Sequence, residues 1–169
     1  MKSNLTNDEV ADLLKKQFDA AILSVDTPYD LLTIEVEWQK VHEVIEYLKK
    51  EEHLQISFLT NLGGVHYPND EGREFAVVYH LHSLVNRYRL RLKAFVSSEH
   101  PEIDSIVDLY AGANWMERET FDFYGIIFKG HPNLKRILNE DSMDYFPLRK
   151  EYHLEDATRE DKDDRFFGR

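Results

Sequence analysis

The most informative absence from this sequence of 169 residues is cysteine, of which there is none. Disulfide bonds, zinc sites with cysteine ligands and conventional iron–sulfur clusters are therefore excluded within the chain. The sequence also lacks the phosphate-binding patterns G-x-G-x-x-G and G-x-x-x-x-G-K-[ST], and the nucleophile-elbow pattern G-x-S-x-G. These absences argue against a nucleotide-binding enzyme and against a hydrolase that uses a serine nucleophile elbow.

Long apolar runs are missing as well. No stretch approaches the roughly 18 apolar residues of a membrane-spanning helix, and the N-terminal sequence MKSNLTNDEV has no apolar signal core. The formal net charge of -11 argues against a nucleic-acid binder, because phosphate contacts need clustered cations. We therefore expect a soluble chain that reaches a membrane only through a partner.

Hydrophobic periodicity predicts two helices and five strands in the first part of the chain. Thr6 and Glu9 form a T-x-x-E capping box, which predicts the start of the first helix. In the clearest strands, apolar and polar residues alternate, which is typical of a sheet with one buried face. The predicted helices span residues 6–18 and 38–50, and the predicted strands span residues 20–24, 31–36, 54–62, 74–83 and 88–96.

The glycines and polar residues between these elements predict how the elements connect. Gly63-Gly64 is expected to end the third strand, and a short polar link around Asn86 predicts an antiparallel hairpin. A short element of undetermined type follows at residues 103–109. The order predicts an α+β fold, with helices on one face of a mostly antiparallel sheet, over residues 1–129.

Two patterns on the hairpin permit functions of their own. His80 and His82 stand two apart on one strand face, a spacing that can chelate a metal, although histidines on sheets are commonly structural. Arg89, Arg91 and Lys93 line one face of the next strand. This cationic row either meets the acidic groups of a partner or is a solvated strand face.

The densest stretch begins at Asn114, which we predict to cap a helix over residues 115–124 that ends at Gly125. Glu117 is the expected capping-box partner, and the helix is apolar nearly all round, which is typical of a covered helix. Its charges would then need partners: Arg118 with Asp122 within the helix, and Glu117 or Glu119 with cations elsewhere. The alternatives are a charged surface helix and a catalytic pair of Glu117 with Glu119, whose geometry is poor.

Beyond Gly130 the periodicity stops. Pro132 restricts His131 to an extended conformation, and an apolar knob, Phe146-Pro147-Leu148, precedes Arg149 and Lys150. Such a segment cannot build a core of its own, because ordering each residue costs on the order of 1–2 kcal/mol. We therefore predict that residues 130–169 form an extended tail that docks onto a partner.

The residues of this stretch resemble one family, the C (thirty-kilodalton) subunit of proton-pumping NADH–quinone oxidoreductase, respiratory complex I. The pattern W-x-ERE-x-x-D-x-Y-G-I-x-F-x-GHP-x-L-x-RIL runs from Trp115 to Leu138, and PLRK follows at Pro147–Lys150. Many members carry a tryptophan and a glycine shortly before PLRK, where this chain has Asp144, Tyr145 and Phe146.

The resemblance implies a structural subunit in the quinone-proximal arm of the complex, on the cytoplasmic side of a bacterial membrane. It implies no cofactor in this chain, since NADH, FMN, iron–sulfur clusters and quinone belong to other subunits. The implied partner is the D (forty-nine-kilodalton) subunit, together with other subunits of the hydrophilic arm. The predicted partner-binding residues are Trp115, Glu117, Arg118, Glu119, Asp122, Tyr124, His131, Pro132, Arg136, Phe146, Pro147, Arg149 and Lys150.

Two other functions stay open from the sequence. Related subunits occur in membrane-bound hydrogenases and in the chloroplast-type complex, so the same fold could serve either. A stand-alone metal enzyme that uses His80, His82 and a carboxylate belongs to a different class, and metal analysis of the purified chain separates it from a structural subunit.

Overall fold

The structure is a computed structural model, and it describes residues 5–152. This part of the chain contains three α-helices and seven strands. In chain order they are α1 (Asn7–Phe18), β1 (Ile22–Asp26), β2 (Leu32–Val36), α2 (Val41–Lys50), β3 (Phe58–His66), β4 (Phe75–Ser83), β5 (Tyr88–Val96), β6 (Glu102–Asp104), α3 (Ala113–Tyr124) and β7 (Ile127–Lys129).

Five of the strands form one sheet in the order β1-β2-β5-β4-β3. Neighbouring strands are antiparallel except β2 and β5, which are parallel. One face of the sheet carries apolar side chains into a single core shared with the helices. The predicted fold class, an α+β fold with helices on one face of a mostly antiparallel sheet, is confirmed.

Helix α1 begins where the capping box places it. The Glu9 N–H donates to Thr6 Oγ1 at 3.3 Å, and the Thr6 N–H donates to Glu9 Oε2 at 2.9 Å. Two backbone donors of the first turn are thereby satisfied. Val10 and Leu14, from the predicted apolar stripe, are fully buried in the core.

The hairpin is also confirmed, as β4 and β5. Phe75 pairs with Val96 at one end, and Ser83 pairs with Tyr88 at the other. Tyr79 and Leu92, which are partners in this register, are both fully buried. The apolar residues at every second position therefore positioned this pair of strands correctly.

The third predicted strand is wrong in its bounds. A turn at residues 52–54 follows α2, and residues 55–57 have no regular secondary structure. The Ile56 N–H donates to the Leu48 carbonyl at 3.0 Å. The strand then runs from Phe58 through both glycines to His66. Gly64 does not end the strand, because its role is to let helix α3 approach. A Cβ atom at Gly64 would lie 2.6 Å from Tyr124 Cδ2.

This close approach gives a first testable prediction. Gly64→Ala should lower the free energy of unfolding by about 1–3 kcal/mol, because the new methyl group overpacks the contact with α3. Gly63→Ala is the matched control, since among the described residues its Cβ would have one neighbour within 4 Å, Asn61 Nδ2 at 3.9 Å. Urea unfolding followed by circular dichroism measures both variants. Equal stability of the two variants would show that the contact at Gly64 is not tight.

A small parallel pair, β6 and β7, brackets helix α3 in the sequence. Ile103 pairs with Phe128, and both side chains are buried. The pair covers part of the element left undetermined at residues 103–109, since β6 ends at Asp104 and turns follow. Among the described residues, no helix is both long enough and apolar enough to span a membrane.

Candidate functional site at helix α3

Helix α3 starts earlier than predicted and without the predicted cap. It spans Ala113–Tyr124, and the residue at its N-cap, Gly112, makes no side-chain capping bond. Asn114 is therefore not the cap, because the chain enters the helix through a turn in which the Ala113 N–H donates to the Tyr110 carbonyl at 2.9 Å. Gly125 ends the helix as predicted, with a left-handed backbone at φ 75°.

Within residues 5–152, Glu117 is neither a capping-box partner nor half of an ion pair. Its carboxyl is fully buried, where it accepts from the Ser105 hydroxyl at 2.6 Å and from the Ile106 N–H at 2.8 Å. Burial raises the pKa of Glu117 to about 7, although the bonds from Ser105 and Ile106 act in the opposite direction. The turn after β6 supplied partners that sequence spacing within the helix could not indicate.

Asp122 is the polar centre of the site. Its side chain is fully buried, and it forms an ion pair with Arg136 Nη1 at 3.0 Å. Burial by itself raises the pKa of Asp122, but the N–H groups bonded to the carboxylate outweigh burial and lower the pKa below its ordinary value. The other donors to this carboxylate are the backbone N–H groups of Ile137, Leu138 and Asn139 and the side-chain amide of Asn139, at 2.8–3.0 Å.

The predicted pair of Arg118 with Asp122 is wrong, because each group has a partner in the segment that follows the helix. Arg118 Nε donates to the Lys135 carbonyl at 3.0 Å, and its Nη2 donates to the Arg136 carbonyl at 3.2 Å. The guanidinium also lies over the Trp115 ring, 5.0 Å from the centroid. Arg118 therefore fastens the chain after Gly130 to the exposed side of α3.

Arg136 extends this network further along the chain. Its Nη2 donates to the carbonyls of Met143 and Tyr145, both at 3.0 Å. Its guanidinium lies 4.9 Å from the ring centroid of Phe146. One arginine thus joins helix α3, through Asp122, to two positions of a segment that has no regular secondary structure.

Arg149 fixes the far end of the same segment. Its Nε donates to the Tyr124 carbonyl at 2.7 Å, which satisfies a backbone acceptor at the end of α3. Its guanidinium lies between two rings, with centroids 4.8 Å away for Phe75 and 4.7 Å away for Phe146. A Cβ atom at Gly125 would lie 2.5 Å from the Phe146 ring, so only glycine fits beneath it.

The last anchor joins the segment to the edge of the sheet. The Lys150 N–H donates to His66 Nδ1 at 2.9 Å, and the His66 ring stacks on Phe75 with centroids 4.7 Å apart. Because His66 is buried, the pKa of its imidazole is lowered. We call residues 131–152 the anchored segment, because hydrogen bonds hold it to α3 and β3 of the same chain.

The predicted site residues separate into an inner and an outer set. Glu117 and Asp122 are buried, whereas Trp115, Glu119, Pro132 and Lys150 are exposed. His131 is partly buried, and its Nε2 contacts the Asn114 carbonyl at 3.1 Å. The remaining predicted residues are partly buried: Arg118, Tyr124, Arg136, Phe146, Pro147 and Arg149.

Apolar side chains are concentrated on the outside of this region. Eleven large hydrophobic side chains are exposed among the described residues, and six of them lie between residues 115 and 152. We call these six the apolar surface. They are Trp115, Ile127, Leu138, Tyr145, Leu148 and Tyr152. The sequence prediction named only Trp115 of these as a contact residue, since exposure in an irregular segment leaves no periodic signal.

The predicted tail continues beyond the described residues. Residues 153–169 lie outside them, so the docking predicted for that part stays a prediction.

The pair His80 and His82 lies on β4, where His80 Nε2 accepts from Arg91 Nε at 3.0 Å. Within residues 5–152, no three histidine or carboxylate side chains come together in a way that could hold a metal ion.

Comparison with known proteins identifies relatives across most of the chain. Residues 34–158 match the family model described as respiratory-chain NADH dehydrogenase, 30 Kd subunit. The C subunit of NADH-quinone oxidoreductase from Acidothermus cellulolyticus is 41% identical over 150 residues, covering 87% of this chain and 78% of that protein. The C subunit from Roseiflexus castenholzii is 41% identical, covering 89% and 86%. The C subunit from a Nocardioides species is 40% identical, but the match covers only 61% of that longer protein.

Solved structures agree with these sequence relatives. A trypsin-resistant fragment (1-134) of Nqo5 superposes with a TM-score of 0.64 at 27% identity, covering 74% of this chain and 98% of the fragment. A chain of an archaeal membrane-bound sulfane sulfur reductase superposes with a TM-score of 0.72 at 19% identity, which shows a shared fold alone. The resemblance inferred from the sequence is confirmed, and the chain belongs to the family of the 30 kDa subunit of respiratory-chain NADH dehydrogenase, represented in bacteria by the C subunit of NADH-quinone oxidoreductase.

Proposed function

We propose that this chain is a non-catalytic structural subunit of the peripheral, quinone-proximal arm of an NADH–quinone oxidoreductase. In this role it supports electron transfer from NADH to quinone, coupled to proton translocation, by positioning neighbouring subunits. The complete absence of cysteine supports this role, because the chain cannot ligate a conventional iron–sulfur cluster. NADH, FMN, the clusters and quinone would then be bound by other subunits.

The apolar surface is the observation that carries this proposal. Exposed apolar groups that collect in one region commonly mark protein contacts, and here they lie on α3, on β7 and on the anchored segment. Trp115 is 63% exposed and Leu138 is 66% exposed, although both belong to the stretch richest in family residues. Aromatic residues of this kind frequently dominate the energy of an interface.

The proposed partner for this surface is the D subunit, on the cytoplasmic side of the bacterial membrane. The inner carboxyl groups, those of Glu117 and Asp122, would then support the surface from within. The outer residues Trp115, Glu119 and Lys150 would contact the partner directly. In this proposal the carboxyl groups of α3 would serve two roles, with Glu117 and Asp122 inside the chain and Glu119 at the partner.

Truncation of the apolar surface tests the proposal. Trp115→Ala/Leu138→Ala should lower the amount of this chain that co-purifies with a tagged D subunit by about tenfold or more, because two large interface contacts are lost. The matched control is Leu23→Ala/Tyr29→Ala, which removes two exposed apolar side chains far from α3 in the sequence. Trp115→Ala also removes the ring beneath the Arg118 guanidinium, so the unfolding free energy of both variants is measured beside the co-purification.

If the Trp115→Ala/Leu138→Ala variant co-purified at the wild-type level, docking through this surface would be contradicted. Equal losses in the test and control variants would indicate a general effect of exposed apolar groups. The alternative function, as a subunit of a related membrane-bound complex, predicts a different set of co-purifying proteins. Identification of those proteins by mass spectrometry therefore distinguishes the two functions.

A further inference from the structure

The face of the sheet opposite the helices carries a concentrated positive charge. Tyr88, Leu90 and Leu92 of β5 are buried, so the residues that alternate with them turn the other way. In the register of the hairpin, Arg89 pairs with His82, and Arg91 pairs with His80. We call this the basic face, and its residues are His80, His82, Arg89, Arg91 and Lys93.

The three cations of the basic face have no carboxylate partner among residues 5–152. Arg91 donates from Nε to His80 Nε2, which is a neutral acceptor. The nearest acid in register is Glu35, which stands opposite Lys93 on β2. That carboxylate already pairs with Arg73 Nη1 at 2.9 Å. Within residues 5–152, no ion pair therefore compensates the positive charge of Arg89, Arg91 and Lys93.

The two histidines contribute contact area more than charge. Burial and the neighbouring Arg91 lower the pKa of His80, and burial and Arg89 lower the pKa of His82. Because His80 Nε2 accepts a hydrogen bond, its proton lies on Nδ1, which is buried and has no hydrogen-bond partner in the described part of the chain. The charge of this face at neutral pH therefore comes from Arg89, Arg91 and Lys93.

The basic face has an apolar edge and a closed end. Phe58 on the edge strand β3 is 48% exposed and stands edge-on to the His82 ring, with centroids 6.5 Å apart. At the other end, the Arg73 guanidinium lies 4.0 Å from the ring centroid of Phe95 and covers that part of the sheet. The open area between them combines an aromatic anchor with arginine, a composition typical of protein interfaces.

We propose that the basic face is a second docking surface, which binds an acidic segment of another protein subunit. It lies on the opposite side of the sheet from the core that supports α3, so it is separate from the apolar surface. Carboxylates suit it, because the forked guanidinium groups of Arg89 and Arg91 can bind them through two parallel hydrogen bonds. Anionic membranes are a poorer match, because lipid-binding clusters usually contain about 4–8 cations and this chain is strongly acidic overall.

Charge reversal on the basic face is the first test. Arg89→Glu/Lys93→Glu leaves the bond between Arg91 and His80 in place and replaces two cations with two anions. It should lower retention of this chain in the purified complex by about tenfold, and wild-type retention should fall as salt rises. Lys15→Glu/Lys16→Glu makes the same change of charge at exposed positions of α1 and should have no such effect. Circular dichroism establishes that both variants fold.

A photo-crosslinking residue at position 89, in the assembled complex within its membrane, identifies the occupant. The expected product is a peptide of another subunit that is rich in aspartate and glutamate. A lipid adduct, a crosslink only to a second copy of this chain, or no adduct would overturn the proposal. Retention of the Arg89→Glu/Lys93→Glu variant at the wild-type level would also overturn the proposal. If that variant is retained in the complex while Trp115→Ala/Leu138→Ala is lost from it, docking at the basic face is contradicted and the proposed function is still supported.

Discussion

Replacing Asp122 with alanine should lower the free energy of unfolding by about 3–5 kcal/mol, the usual cost of removing one partner of a buried ion pair. The change leaves the guanidinium of Arg136, which is only 10% exposed, without its carboxylate. It also removes the acceptor for three successive backbone N–H groups at residues 137–139. Each unsatisfied donor adds to the loss, and we expect the anchored segment to detach from α3.

Two measurements check this prediction. Urea unfolding gives the loss of stability, and limited trypsin digestion should cleave the variant rapidly after Lys135 and Arg136. Asp144→Ala is the control, because Asp144 is exposed on the same segment and should change stability by less than about 0.5 kcal/mol. If Asp122→Ala resisted trypsin as well as the wild type does, other contacts, such as those of Arg149, would suffice to hold the segment.

The pH dependence of the same variant follows from the lowered pKa of Asp122. A carboxylate with a lowered folded-state pKa contributes stability above its unfolded pKa, near 3.8, and loses that contribution as pH falls through the folded-state value. The stability difference between wild type and Asp122→Ala should therefore shrink progressively once the pH falls below about 4. A difference that stays constant down to low pH would show that the charge of Asp122 is not what holds the segment.

Replacing Glu117 with glutamine should change stability in the opposite direction to Asp122→Ala. It should raise the free energy of unfolding at alkaline pH. The folded-state pKa of Glu117 is raised from 4.5 to about 7, so the folded state favours the protonated carboxyl. Stability from this group is complete below pH 4.5 and is lost as pH rises through about 7. The loss amounts to roughly 3 kcal/mol at pH 8. Glutamine cannot ionise, and its amide can keep the contacts with Ser105 and Ile106.

The informative quantity is the stability of Glu117→Gln minus that of wild type, measured from pH 4 to pH 8. We expect this difference to be near zero at pH 4 and to rise by roughly 3 kcal/mol by pH 8. Glu119→Gln is the control, because it makes the same substitution at an exposed position of the same helix. A flat curve for Glu117→Gln would mean that the buried carboxyl is not protonated in the folded state at neutral pH.

Regular periodicity predicted the parts of the fold that have a simple local cause. The hairpin of β4 and β5 followed from apolar residues at every second position, and the start of α1 followed from Thr6 and Glu9. The end of α3 followed from Gly125, whose left-handed backbone is a local requirement. The pair β6 and β7 escaped prediction, because strands of three residues are too short to show a period.

The errors arose where distant residues decide the local structure. Gly63-Gly64 is a typical strand terminator in isolation, yet Gly64 lies inside β3 because Tyr124 packs against it. Asn114 is a good cap in isolation, yet the turn at Tyr110 starts the helix first. The charges of α3 were recognised as needing partners, but their partners in residues 105–106 and 135–139 could be found only in three dimensions.

The anchored segment also affects the thermodynamics of assembly. Ordering a flexible backbone costs on the order of 1–2 kcal/mol per residue, and a segment that folds only on binding subtracts this cost from its affinity. Here Asp122, Arg136 and Arg149 impose that order in the free chain, so a partner meets residues 131–152 already preorganised. Asp122 would therefore set the affinity of the proposed interface without touching the partner.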